Sequence, residues 1–201
     1  MKHAYKVNAK IPDLNTSGRD LISEHGRLKR SKFYSLKRFK FGIDEALKFV
    51  DVLPQIKDYC VDSSLTSIKL LLPHVHTGPR HIIINFYMGV SGEKTSFWKG
   101  KIKHDDRYIE DQGNGYVNVN PDFIDPVESF TAQDGDIWAI DPFTTHSVLP
   151  TIDTEKSIIK RMVSGFDRRV AVKAIRSNRS IVQLFYDLTL EEAIEKLNGK
   201  L

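Results

Sequence analysis

His74 and His76 stand two residues apart at the end of an apolar run. His146 follows 70 residues after His76, in Gly135-Asp-Ile-Trp-Ala-Ile-Asp-Pro-Phe-Thr-Thr-His146-Ser-Val. In an extended segment alternate side chains share a face, so His74 and His76 present both imidazoles to one side. A third imidazole just beyond a second apolar stretch can close a facial set of neutral nitrogen ligands. Imidazole binds iron, zinc, copper and nickel, and three protein ligands leave coordination positions for substrate or oxygen. The pattern points to an open, catalytic metal site. His81 and His104 have no such spacing and read as ordinary surface or core histidines.

Ligands so distant in the chain need strands to bring them together. Residues 65–72 read as one strand, ending at Pro73, and residues 81–88 as another, closed by Gly89 and Gly92. Residues 95–98, 137–140 and 157–166 follow, with 170–175 a sixth candidate. Many short strands punctuated by Gly and Pro indicate a sandwich or barrel. Ahead of them, Ile43, Leu47, Val50 and Leu53 or Ile56 recur at helical spacing through residue 59, with Asp44 and Glu45 near the start. Pro54 should kink or split that helix. Thr189-Leu-Glu-Glu192 is a capping box opening a short amphipathic helix, which Asn198-Gly199 ends.

The expected organisation is an N-terminal arm and helix over residues 1–64, a β-domain over 65–176 and a C-terminal helical extension over 177–201. Within the β-domain, residues 99–129 are charged, then rich in Gly, Asn and Pro. An insert of that length reads as a lid or substrate loop.

A chain of 201 residues, 40% hydrophobic and 28% charged, has the size and composition of one globular domain with a real core. No apolar run reaches the roughly 18 residues of a membrane span. The first residues form no apolar signal region, and Cys60 is the only cysteine, so a cytoplasmic location is expected. The net charge of +4 is unevenly spread. Arg27, Lys29, Arg30, Lys32, Lys37, Arg38 and Lys40 form one cluster, interleaved with aromatic residues, and Arg168, Arg169, Lys173, Arg176 and Arg179 another. Such clusters either meet nucleic acid or an acidic partner, or are solvated surface.

The order of motifs over about residues 65–167 resembles the double-stranded β-helix of the cupin superfold. Within it, the order is similar to the iron(II)- and 2-oxoglutarate-dependent oxygenases, in particular prolyl-hydroxylase-like and aspartyl/asparaginyl-hydroxylase-like members. The resemblance implies a mainly β fold, jelly-roll in type, with flanking helices. It also implies iron bound by a His-x-Asp pair and a distal histidine, and a basic residue gripping the far carboxylate of 2-oxoglutarate. His74 matches the first ligand, His146 the distal one and Arg161 the basic anchor, whose planar fork suits a carboxylate. Lys160 points to the opposite face of a regular strand, so only one of the pair faces inward. Asn85 and Tyr87 share a strand face and can hydrogen-bond a bound acid.

His76 departs from the pattern, because it stands where the family has a carboxylate. It either coordinates, giving a three-histidine site like that of cupin thiol dioxygenases, or turns away, or marks a scaffold that has lost its metal. Three functions follow. The first is an iron(II) dioxygenase using 2-oxoglutarate on a small-molecule or peptide substrate. The second is a three-histidine metal enzyme without 2-oxoglutarate, and the third a non-catalytic binding module presenting its basic clusters. Asp136 and Asp141, flanking the turn before His146, are candidates for orienting an imidazole.

Overall fold

β-branched and aromatic residues crowd the middle of the chain, and they fold as strands. The computed structural model describes residues 1–12, 29–30, 34–40, 43–76, 81–90, 92–100, 116–118, 124–150 and 180–199. Its strands are β1 (Ala4–Val7), β2 (Lys29–Arg30), β3 (Tyr34–Lys40), β4 (Cys60–His76), β5 (Ile82–Met88), β6 (Glu93–Gly100), β7 (Tyr116–Asn118), β8 (Ile124–Thr131), β9 (Ile137–Ile140), β10 (His146–Pro150) and β11 (Ser180–Tyr186). Helix α1 (Ile43–Val50) and a 3₁₀ turn (Lys57–Tyr59) precede β4, and helix α2 (Leu190–Leu197) follows β11.

The hydrogen-bonded path runs β1-β9-β5-β11-β4-β10-β6-β8, with β3 and β7 also paired to β4. The pairings along it are antiparallel. β4, 17 residues long, serves two layers. Its residues 60–66 ladder with β11, whereas Leu71 and His74 face β10. With the two halves of β4 counted separately, the layers are β9-β5-β11-β4 and β4-β10-β6-β8. Ranked along the chain these orders are 6-3-8-1 and 2-7-4-5, the two interlocked layers of a jelly roll. The fold is mainly β, a double-stranded β-helix with few helices.

The layer containing β5 and β11 is buried on both faces. Ile82, Ile84, Phe86, Val182, Leu184 and Tyr186 pack outward against Phe49, Leu53, Ile56 and Ala193. Ile83, Tyr87 and Ile181 point the other way, into the barrel, where they meet Phe97, Phe130, Trp138 and Val148. Strands covered on both sides read as continuous apolar runs rather than alternating ones. Phe130 and Trp138 stack with centroids 4.0 Å apart, so this tryptophan is a packing residue.

Several boundaries differ from the sequence expectation. The helical pattern does split before Pro54, with α1 ending at Val50. The strand expected to stop at Pro73 runs on to His76. His146 faces His74 and Val148 faces Leu71, so β4 spends three residues where β10 spends two. Pro73 lies in that irregularity, where a missing N–H donor costs no ladder bond.

Residues 4–7 of the N-terminal arm form β1 on β9. Parts of the expected 99–129 insert belong to the sheet as the end of β6, as β7 and as most of β8. The C-terminal segment holds the expected helix, capping box included. It also holds β11, which sits between β5 and β4 and was not anticipated. The expected strands at 157–166 and 170–175, Lys160, Arg161 and the second basic cluster lie outside the described residues. No helix among the described residues is long and apolar enough to cross a membrane.

Candidate metal centre

The end of β4 and the start of β10 carry the three histidines. His146 sits directly opposite His74 in the ladder, and β7 covers the other edge of β4, with Asn118 opposite His74 and Tyr116 opposite His76. On β10's far side, Phe97 of β6 pairs with His146, its ring centroid 6.1 Å from the imidazole. His74 and His146 are each 3% exposed and His76 is partly buried. Ring centroids lie 4.3 Å apart for His74–His146, 5.2 Å for His76–His146 and 5.3 Å for His74–His76. One ring nitrogen from each histidine falls within 4.8 Å of the other two. The period-2 pair and the distal histidine therefore converge as their spacing implied.

The surroundings of His146 work to keep it neutral. Three imidazolium charges about 4.8 Å apart would repel by roughly 3.5 kcal/mol per pair at an effective dielectric constant near 20. Burial pushes the His146 pKa below its ordinary value, against the opposing pull of the Thr144 carbonyl and the Asp141 charge. Nδ1 of His146 lies 2.9 Å from the Thr144 carbonyl oxygen. A carbonyl can only accept, so Nδ1 carries the proton and Nε2 keeps the lone pair. Nε2 of His74 is also buried.

The donor set fits a divalent transition ion. At bond lengths of about 2.1 Å, ligand nitrogens at right angles sit about 3.0 Å apart. The three candidate nitrogens lie within 4.8 Å of one another, so binding an ion asks them to draw together by less than about 2 Å. His74, His76 and His146 would hold the metal. All three ligands are neutral, so they leave the metal's charge uncompensated and favour iron, zinc, copper or nickel over hard, oxygen-seeking ions.

The turn between β9 and β10 positions the rear of the site. The Asp141 carboxylate accepts from the Phe143 N–H at 2.9 Å and from the Thr144 hydroxyl at 2.8 Å. Thr144 Oγ1 is also 3.1 Å from Nδ1 of His3, and the Asp141 N–H donates to the His3 carbonyl at 3.1 Å. The Pro142 carbonyl accepts the His76 backbone N–H at 3.1 Å. Asp136 serves elsewhere. It pairs with Lys6 at 2.7 Å and accepts from the Gln133 N–H and the Trp138 indole. Burial raises its pKa, and these bonds outweigh that and hold it below the usual carboxylate range.

Asn85 and Tyr87 are both buried on the barrel side of β5, and Asn85 Nδ2 lies 3.3 Å from the Tyr87 hydroxyl. Gln183 of β11 donates to Asn85 Oδ1 at 3.0 Å and accepts from Thr66 of β4 at 3.3 Å. Ser64, on the same face of β4 as Thr66, is buried, and its hydroxyl makes no hydrogen bond among the described residues. Asn85 and Tyr87 thus belong to a polar row across three strands. Gln183, Thr66 and Ser64 were missed, although each is a polar residue inside a strand-forming run. Glu93, also missed, is 3% exposed and shares the face of β6 that carries Thr95 and Phe97.

No protein-family model matches this sequence, and no curated protein matches it. Among solved structures, the X-ray structure of Escherichia coli ycfD is similar at 9% identity and a TM-score of 0.44, over 82% of this chain and 37% of that one. The E. coli ribosomal oxygenase YcfD in complex with cobalt and 2-oxoglutarate is similar at 9% identity and a TM-score of 0.38, over 83% and 36%. Vicilin from Corylus avellana (hazelnut) is similar at 10% identity and a TM-score of 0.35, over 82% and 31%. The chain spans well under half the length of each.

Proposed function

We propose that this chain is a non-haem iron(II)-dependent dioxygenase that uses 2-oxoglutarate to hydroxylate a small-molecule or peptide substrate. The observation that carries the reading is the convergence of His74, His76 and His146 within 4.8 Å at one end of a double-stranded β-helix. His74, His76 and His146 would hold iron(II), which would supply the oxygen-activating chemistry of a 2-oxoglutarate-dependent hydroxylation. The chain's own residues orient and pack. The Thr144 carbonyl keeps the proton on Nδ1 of His146 and so presents Nε2. Phe97 packs beside the imidazole, with ring centroids 6.1 Å apart. Asn85 and Tyr87 offer hydrogen bonds to a bound acid from the barrel interior. Arg161 is the proposed grip on the outer carboxylate of the cosubstrate.

A second reading keeps the metal and drops 2-oxoglutarate. One observation favours it: His76 joins the cluster where an anionic ligand would otherwise stand.

The test is succinate release from 2-oxoglutarate by protein loaded anaerobically with iron(II) and then exposed to oxygen. Release that needs iron and disappears in His146→Ala supports the first reading. Bound iron without succinate leaves the second, and no bound metal at all defeats both.

A further inference from the structure

We propose that Asp141 and His3, joined through the Thr144 hydroxyl, form an outer brace that selects Nε2 as the metal-binding nitrogen of His146. The inference rests on the proposed metal centre and adds positioning residues to it. A histidine ligand is defined by two choices, which nitrogen faces the metal and how the ring is turned, and both follow from the hydrogen bond made by the other nitrogen. That bond here goes to a backbone carbonyl, Thr144 O, at 2.9 Å. A carbonyl in a turn aims only as well as the turn is held.

The turn is held from two sides. The Asp141 carboxylate ties down both the Phe143 N–H and the Thr144 hydroxyl. The N-terminal segment reaches across from the other side, where His3 Nδ1 meets the same hydroxyl and the His3 carbonyl accepts the Asp141 N–H. His3 is fixed in turn, because the Glu128 carboxylate accepts its N–H at 3.3 Å and that of Lys2 at 3.0 Å. The same turn sends the Pro142 carbonyl to the backbone of His76, so one short loop sets two of the three ligands. Asp141 also places a negative charge behind a set of neutral imidazoles, where it partly offsets the charge of the ion.

Two variants separate the hydroxyl from the charge. Thr144→Val removes the hydroxyl shared by Asp141 and His3 and leaves the carbonyl in place, and Thr144→Ser restores the hydroxyl. Asp141→Asn keeps an acceptor for the turn and removes the charge. The ring tautomer of His146 is read by long-range ¹H–¹⁵N correlation spectroscopy on metal-free protein, and cobalt(II) affinity by absorption titration. Expected are a single Nδ1–H tautomer in wild type and Thr144→Ser, and a tautomer mixture in Thr144→Val. Cobalt(II) affinity should fall about 10- to 100-fold in Thr144→Val and Asp141→Asn.

The brace is refuted if both variants keep the Nδ1–H tautomer and wild-type cobalt affinity, whatever happens to their melting temperature. Should Thr144→Val fail to fold, Thr144→Ala, which also lacks the hydroxyl and keeps the carbonyl, takes its place with the same expected outcomes. If wild-type protein binds no cobalt, the metal centre itself fails, and the tautomer comparison still decides the brace.

Discussion

A buried imidazole is useful to a metal only while it is neutral, and the surroundings of His146 keep it so. Its ring is 3% exposed, and burial depresses its pKa below 6.5. In metal-free protein the unfolded chain, titrating nearer the ordinary value, takes up a proton before the folded one does. The contribution of His146 to stability is therefore intact above about pH 6.5 and is lost progressively as pH falls through the interval below it. Melting temperatures of the metal-free protein between pH 8 and 5 should show that decline, and His146→Gln should flatten it. An unchanged profile in the variant would remove His146 as its source. His146→Ala should abolish metal binding while costing the fold roughly 2–3 kcal/mol as a large-to-small change in a packed site. Elemental analysis showing normal metal content in folded His146→Ala would overturn the ligand assignment.

At the scale of elements, the site depends on where β4 and β10 meet, and that junction is positioned by the layer behind it. Leu184 of β11 is wholly buried in the outer core, whereas Val127 of the edge strand β8 is 50% exposed. Leu184→Ala should cost about 2–5 kcal/mol and Val127→Ala well under 1 kcal/mol, measured by urea unfolding. Equal costs would mean that β11 is not a central strand. The Thr189–Glu192 capping box on α2 is reciprocal, with Glu192 N–H donating to Thr189 and the Glu192 carboxylate accepting from Thr189. Thr189→Ala should cost about 1 kcal/mol.

These elements also show what a sequence can and cannot disclose. The histidine pair was legible because period two is imposed by the strand itself. The apolar runs of β5 and β9, the Pro54 break and the capping box were legible through equally local physics. β11 was hidden because Ser180 and Gln183 break up its apolar residues, leaving neither a long continuous run nor a clean alternation. β8 was hidden by Pro126, which an edge strand tolerates and a central one does not. The brace on the β9–β10 turn could not be read locally at all, since His3 and Thr144 are 141 residues apart.

For the molecule as a whole, the barrel brings strands distant in sequence around one end, and the function proposed follows from what that end holds. The barrel interior carries a row of uncharged polar residues. It is built from Thr66, Gln183, Asn85 and Tyr87, with Glu93 buried on the barrel side of β6. In the proposed reading, Arg161 holds the outer carboxylate of the cosubstrate. Arg161→Ala should weaken 2-oxoglutarate binding about 10-fold or more by loss of a charge-assisted pair and leave metal content unchanged. Unaltered cosubstrate affinity would assign the grip to another residue or exclude this cosubstrate. The most direct measurement of the central claim is X-ray absorption spectroscopy of cobalt(II)-loaded protein, which counts imidazole ligands through their scattering. The account predicts one ion per chain with three imidazoles at about 2.0–2.1 Å. A shell with fewer than three imidazoles, or no ordered site, would contradict it.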